Sequence, residues 1–234
     1  MPRIVILGTG TGVGKTYATS ALARALSSVS NSTVVAVKPI ETGVASTRTK
    51  RGDGPPPRTD AHALERASHG PVLRPHPLYA FSEPISAHLA ARRAGVRISL
   101  PRICHWAASA IRDDIWQLIE TAGGAFSPLS TRSTNMDLAK ALEPCVRVLI
   151  APDALGVLHD VLTTVRAMDA KGRIPDFLVL SESRTNDAST GTNAAELARL
   201  GLPRPIAVIR RGGGERSLIP LARALIRRER ARRQ

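Results

Sequence analysis

Aromatic side chains, cysteine and lysine are all scarce in this sequence, and each scarcity narrows its reading. Phe, Trp and Tyr make up only 3% of the 234 residues, so Leu, Val, Ile and Ala must fill the core. The few, scattered aromatics offer no row of rings on which unpaired nucleic-acid bases would stack. The two cysteines, Cys104 and Cys145, lie far apart and fit no metal or CxxC spacing. Two lone thiols suit a reducing cytoplasm and exclude a disulfide scaffold. No apolar run approaches the roughly 20 residues needed to span a bilayer. The chain enters Arg3-Ile4-Val5-Ile6-Leu7 at once, which reads as a strand rather than a signal peptide. Acidic residues are also few: 19 Asp and Glu against 33 Lys and Arg, a net charge of +14. Of those basic residues only Lys15, Lys38, Lys50, Lys140 and Lys171 are lysines. A polyanion partner is one reading of the excess. The scatter of the arginines, together with abundant alanine, favours a GC-rich coding bias. The cluster at Arg227, Arg228, Arg230, Arg232 and Arg233 then reads as a solvated helix end.

What is present is ordinary for a folded domain. Hydrophobic residues make up 43% and charged residues 22%, which excludes disorder, collagen and a coiled coil. A chain of this length buries roughly 70–75% of its unfolded surface and needs no staple. No internal repeat is visible. Short apolar runs at 4–7, 34–37, 114–120, 146–151, 177–180 and 205–209 read as strands. Segments 17–26, 60–68, 84–94, 100–112, 156–170, 194–200 and 218–233 read as helices. Residues 42–58, rich in Gly and Pro, read as a mobile loop. Continuous Val/Ile/Leu runs alternating with helices predict a mostly parallel sheet covered on both faces. No linker splits the chain, so residues 1–234 are expected to form a single α/β domain. In such sheets the ligand binds at the carboxyl ends of the strands.

The residues following the first strand are Gly8-Thr9-Gly10-Thr11-Gly12-Val13-Gly14-Lys15-Thr16. Strand, glycine loop and helix in that order are the setting of a phosphate loop, and predict a P-loop NTPase-like fold. Glycines let backbone N–H groups turn toward an anion, and the helix N-terminus adds partial positive charge. Lys15 would reach the outer phosphates and the Thr16 hydroxyl would join a Mg²⁺ shell. The strict pattern would place glycine at Thr9, so this is a lengthened variant. A GxGxxG dinucleotide loop is disfavoured by Lys15-Thr16 directly after Gly14.

The second strand ends in Lys38-Pro39-Ile40-Glu41-Thr42-Gly43, which sets a second lysine toward the same phosphates. On these two motifs the chain resembles the dethiobiotin synthetases of biotin biosynthesis. Thr59-Asp60-Ala61, Glu83-Pro84-Ile85-Ser86, Glu120-Thr121-Ala122-Gly123-Gly124 and the stretch 151–160 continue the likeness in the family's order. The resemblance implies ATP-dependent ring closure of 7,8-diaminononanoate with CO₂ to dethiobiotin. Gly12, Val13, Gly14, Lys15, Thr16 and Tyr17 would then hold ATP, and Lys15 and Lys38 would be catalytic. Thr16, Asp60 and Glu120 would hold Mg²⁺, with Asp53 a lower-ranked metal candidate. Thr11, Thr42, Pro84, Ala122 and Gly123 would meet the substrate. The resemblance also implies a cytoplasmic homodimer in which Gly156, Val157, Leu158 and His159 of one copy receive the substrate carboxylate of the other.

Three departures qualify the likeness. Thr121 replaces the first glycine of a family turn, which would be strained if that position needs a positive φ. Ser181-Glu182-Ser183 stands where the family reads adenine with Asn. Gly10 stands at a loop position that is often acidic. Three other readings compete. A ParA/MinD-like partner-switching ATPase would carry an early lysine near Gly10, which is lacking. A basic nucleic-acid binder lacks stacking platforms. An amidotransferase-type synthetase would need a further glutaminase domain. No nucleic-acid or membrane partner is therefore expected.

Overall fold

The computed structural model describes residues 2–44, 59–109, 115–183 and 185–234. In chain order its elements are β1 (Arg3–Gly8), α1 (Lys15–Ser30), β2 (Thr33–Val37), β3 (Ile40–Thr42), α2 (Asp60–Ala67), β4 (Tyr79–Phe81), α3 (Ala87–Arg93) and α4 (Leu100–Ala108). They continue as β5 (Ile115–Glu120), α5 (Asn135–Ala141), β6 (Val146–Asp153), α6 (Val157–Asp169), β7 (Phe177–Glu182), α7 (Asn193–Arg199), β8 (Ala207–Ile209) and α8 (Gly214–Arg233).

Six strands form one sheet in the order β2-β5-β1-β6-β7-β8, and every pairing is parallel. The reason lies in the strand sequences. Val5 and Leu7 pack on one face with Val35, Val37 and Leu149, beneath α3 to α7. Ile4 and Ile6 pack on the other with Val34, Ala36, Leu118 and Val148, beneath α1, α2 and α8. A strand buried on both faces cannot alternate apolar with polar residues, so it reads as an unbroken apolar run. The α/β, P-loop NTPase-like class expected from the sequence is the one observed.

Three elements were not expected. β3 and β4 make a separate two-stranded parallel sheet beside the main one. They are three residues each, too short to give a period. α5 is the third, preceded by a Ser/Thr-rich stretch that masks its start. Its first turn is held where the Asp137 carboxylate accepts from the backbone N–H (2.7 Å) and hydroxyl (2.8 Å) of Thr134. Some boundaries also move. The helix expected over 84–94 starts only at Ala87, because residues 83–86 turn on the Ile85 N–H to Glu83 carbonyl bond. α8 starts at Gly214, four residues early, and carries Pro220 inside it. Residues 45–58 and 110–112, which bear on the expected loop and on the end of the 100–112 helix, lie outside the described residues, as does the expected strand start at residue 114. Arg228 reaches from α8 to Asp176 at 2.7 Å, ahead of β7, and Arg233 pairs with Glu229 at 2.9 Å within α8. Among the described residues no helix is long and apolar enough to cross a membrane.

Candidate active site

The two-residue period of the strands decides which side chains meet. Val34 and Ala36 face the α1/α2 side, so Lys38, the next residue of that parity, faces it too. Trp116 and Leu118 face the same side, so Glu120 follows them. β2 and β5 are neighbours with Val37 level with Ile119, which sets Lys38 beside Glu120. The Lys38 Nζ donates to Glu120 Oε1 at 2.8 Å. It also donates to Asp60 Oδ2 at 2.5 Å, from the start of α2. The Thr16 hydroxyl donates to the same Glu120 oxygen at 2.7 Å, from the first turn of α1. Lys38 and Thr16 thus converge on one fully buried carboxylate, whose second oxygen, Oε2, has no hydrogen-bond partner.

The phosphate loop closes the other side. The Lys15 Nζ donates to the Gly10 carbonyl at 2.8 Å, reaching back over the loop. A Cβ on Gly8 would lie 2.8 Å from that Nζ and 3.0 Å from the Gly10 oxygen. Gly8 thus leaves room for the Lys15 side chain beside Gly10, while Gly12 and Gly14 hold positive φ of 76° and 87°. Burial pulls the Lys15 ammonium down to about 8; Glu120 opposes this and Lys38 adds to it. Burial would lower Lys38 as well, but Glu120 and Asp60 together outweigh it and hold Lys38 above its ordinary value.

The cleft over these groups has a volume of about 700 Å³. Gly12, Val13, Gly14, Lys15, Thr16 and Tyr17 line it, as do Thr11, Lys38, Asp60, Glu120 and Gly123. Thr42, Pro84 and Ala122 are not among its lining residues. Thr42 ends β3, which leaves the main sheet, and Pro84 packs on Gly43 beside it. Gly156, Val157, Leu158 and His159 do not line it either. Val157 is fully buried in the core, and the exposed Leu155 just before it points the start of α6 outward. Asp53 lies outside the described residues.

Comparison with known proteins gives the site its context. A family described as an AAA domain matches residues 2–209. The ATP-dependent dethiobiotin synthetase of Anaeromyxobacter dehalogenans is 34% identical over 212 residues, covering 89% of this chain and 90% of that one. Its counterpart in Methylobacterium nodulans is 32% identical over 221 residues, 91% of this chain and 95% of that one. The chain belongs to the dethiobiotin synthetase family. Among solved structures, the septum site-determining protein MinD complexed with Mg-ADP from Pyrococcus horikoshii superposes with a TM-score of 0.54 at 15% identity, covering 96% of this chain and 95% of that one. At that identity the likeness is one of fold.

Set against the dethiobiotin synthetase pattern, the strain anticipated at Thr121 does not arise. Its φ is not positive; its N–H and hydroxyl both donate to the Ile6 carbonyl, at 3.1 and 2.9 Å. The positive φ falls at Gly123 (79°), whose missing Cβ would lie 2.6 Å from the Ser127 Oγ. The buried Asn135 amide donates to the carbonyls of Ala122 (2.6 Å) and Gly124 (2.8 Å) and fixes that turn. Ser181, Glu182, Ser183 and Thr185 line the end of the cleft next to Tyr17. Sequence reasoning missed Asn135, Glu41 and His76. The buried Glu41 carboxylate accepts from the N–H groups of Asp60 (2.6 Å) and Ala61 (3.0 Å). His76 Nε2 accepts the Lys38 N–H at 2.9 Å, and its ring stacks on Trp106. Asn135 and His76 sit in segments without a regular period, and nothing local links Glu41 to residue 60.

Proposed function

We propose that the protein is an ATP-dependent ligase that closes the ureido ring of dethiobiotin from 7,8-diaminononanoate, CO₂ and ATP. The observation that carries this is the Lys38 ammonium, held between Glu120 and Asp60 and facing the Lys15 loop, in a chain of this family. One amine of the substrate adds to CO₂ and loses a proton, giving a carbamate. A carbamate oxygen then attacks the γ-phosphorus, and ADP leaves. The second amine attacks the carbamoyl carbon of the mixed anhydride, phosphate leaves, and the ring is closed.

Little covalent work falls to the protein; its part is positioning and charge neutralisation. Gly12 to Tyr17 cradle the triphosphate, with Lys15 on its outer oxygens. Lys38 stabilises the transferring phosphoryl group and the carbamate from the opposite side. Thr11 and the backbone at Ala122 and Gly123 orient substrate oxygens, and Thr42 and Pro84, outside the cleft lining, are the weaker substrate candidates. The donor set fits Mg²⁺: hard oxygens of Thr16, Asp60 and Glu120, with the buried Glu120 Oε2 unpartnered. Among the described residues there is no cluster of three or more His, Cys, Asp or Glu suited to a metal, so phosphate and water would supply the remaining ligands. When bound, that cation neutralises charge on the β- and γ-phosphate oxygens. Residues 156–159 do not line the cleft of their own chain; in this proposal the protein is a cytoplasmic homodimer and they serve the partner's site.

The test is ADP release from ATP–Mg²⁺ and bicarbonate, with and without 7,8-diaminononanoate, followed by product mass. ADP release that needs the diamine, with a cyclic urea product, is expected. ATP hydrolysis indifferent to the diamine would overturn the reading in favour of a partner-switching ATPase.

A further inference from the structure

Asp60 is placed by something other than its own side-chain partner. The first turn of α2, Asp60 to His62, has three backbone N–H groups without an intrahelical partner, and the helix's own ladder starts at Ala63. The Thr59 hydroxyl accepts from His62 N at 3.2 Å, and the Thr59 carbonyl from Ala63 N at 3.1 Å. The remaining two, on Asp60 and Ala61, both go to Glu41, at 2.6 and 3.0 Å. This carboxylate is 6% exposed and comes from 19 residues away in sequence, on β3. Glu41 follows Lys38 by three residues. The short segment 38–41 therefore grips the start of α2 twice, once through the Lys38 ammonium on the Asp60 side chain and once through Glu41 on the Asp60 backbone.

The Lys38 contact alone would hold Asp60 poorly. The Asp60 side chain is 46% exposed, and Lys38 is shared with Glu120. An exposed carboxylate on one shared ammonium has freedom to swing. Two bonds from a buried carboxylate to consecutive backbone N–H groups remove that freedom at the main chain, because they fix both the position and the direction of the first helical turn. A helix start is also where a carboxylate is electrostatically favoured, so the clamp is self-consistent.

We infer that Glu41 is a positioning residue for the divalent cation, acting through Asp60. It clamps the first turn of α2 so that the Asp60 carboxylate is presented together with Thr16 and Glu120. The inference rests on the proposed metal role of Asp60. Glu41 does not touch the cation, the nucleotide or the substrate; both of its oxygens are taken by the helix.

The experiment uses the full chain with Glu41→Ala, the near-isosteric Glu41→Gln, Asp60→Asn, and the double variant Glu41→Ala/Asp60→Asn. Binding of Mn²⁺ to the ADP complex is read by proton relaxation, without turnover. Amide exchange at residues 60–63 is read in the metal-free protein. Glu41→Ala is expected to weaken Mn²⁺ binding by on the order of tenfold, with Glu41→Gln in between, since it keeps one acceptor. Metal-free ADP affinity should stay within about twofold, since the clamp leaves the phosphate loop untouched. Exchange at Asp60 and Ala61 should quicken. Adding Glu41→Ala to Asp60→Asn should weaken the metal no further, because both act along one path. Normal Mn²⁺ binding in the folded Glu41→Gln and Glu41→Ala variants would overturn the inference, as would additive losses in the double variant. Asp60→Asn with unchanged Mn²⁺ binding would instead overturn the metal role of Asp60, and the inference with it. If Glu41→Ala does not fold, Glu41→Gln and its double with Asp60→Asn decide the matter.

Discussion

The two ends of the cleft are built differently. At the Lys38 end, side chains from β2, β5, α1 and α2 meet one another, and Lys38 and Glu120 are buried. At the Tyr17 end, Glu182 accepts from the Arg211 backbone N–H at 2.7 Å and the Tyr17 hydroxyl accepts from Gly214 N at 3.1 Å, both near the surface. Charge in a buried, interlocked cluster is felt strongly because water does not screen it; charge at an open rim is not. The difference supports placing the proposed chemistry at the first end and a looser grip on the nucleotide at the second.

The largest effect should come from the two lysines. Lys15→Ala and Lys38→Ala should each lower kcat by at least about a hundredfold while the fold persists, checked by steady-state assay and circular dichroism. Lys38→Ala leaves Glu120 buried without its ammonium, so adding Glu120→Gln should recover stability but not turnover. Near-normal turnover in a folded single variant would sink the mechanism.

The carboxylates come next. Asp60→Ala should raise the Mg²⁺ concentration for half-maximal activity by about tenfold, and more than Asp53→Ala does. The reverse order in a metal titration would move the cation to the other carboxylate.

A pH series sharpens the contrast at Lys15. Its folded value of about 8 lies below its ordinary 10.5, so between these the unfolded chain binds more protons and this group favours folding as pH rises. ADP binding runs the other way, since phosphate needs the ammonium. Affinity by calorimetry should fall above pH 8, by up to about tenfold per unit, and Lys15→Ala should remove the trend.

His76 gives a smaller change, in stability rather than rate. Burial, with Arg74 and His62 adding to it, lowers its imidazole to about 4, and the nitrogen it would protonate accepts the Lys38 N–H. Below its ordinary 6.5 the unfolded chain takes up the proton first. This contribution, at most about 3 kcal/mol, is therefore lost as pH falls from 6.5 toward 4. Urea melts at pH 5 and pH 7 should show a narrower gap in His76→Phe than in the native chain. Glu182→Ala, at the open end, should change KM for ATP by less than about threefold and kcat hardly at all. A large kcat effect there would erase the distinction between the ends.

Several features needed no tertiary information. The run Arg3-Ile4-Val5-Ile6-Leu7 ahead of a glycine loop and Lys15-Thr16 is a local pattern, and so is an apolar strand ending in Lys38. Local patterns specify a buried parallel strand, a phosphate loop and a lysine at a strand end, because backbone period and glycine freedom act over a few residues. Asp60 and Glu120, the carboxylates proposed to hold the cation, were reachable through the family resemblance. Glu41, His76 and Asn135 were not. Each works by hydrogen-bonding backbone far away in sequence: Glu41 to residue 60, His76 to residue 38, Asn135 to residue 122. Such partners meet only when β3 lies beside the start of α2, residue 76 beside the end of β2, and the start of α5 beside the turn after β5. The tertiary structure also decided that residues 156–159 do not line the cleft of their own chain. The sequence by itself thus determined which chemistry the strand ends carry. Packing alone decided what holds that chemistry in place, because a buried polar group takes whatever partner the fold brings within about 3 Å.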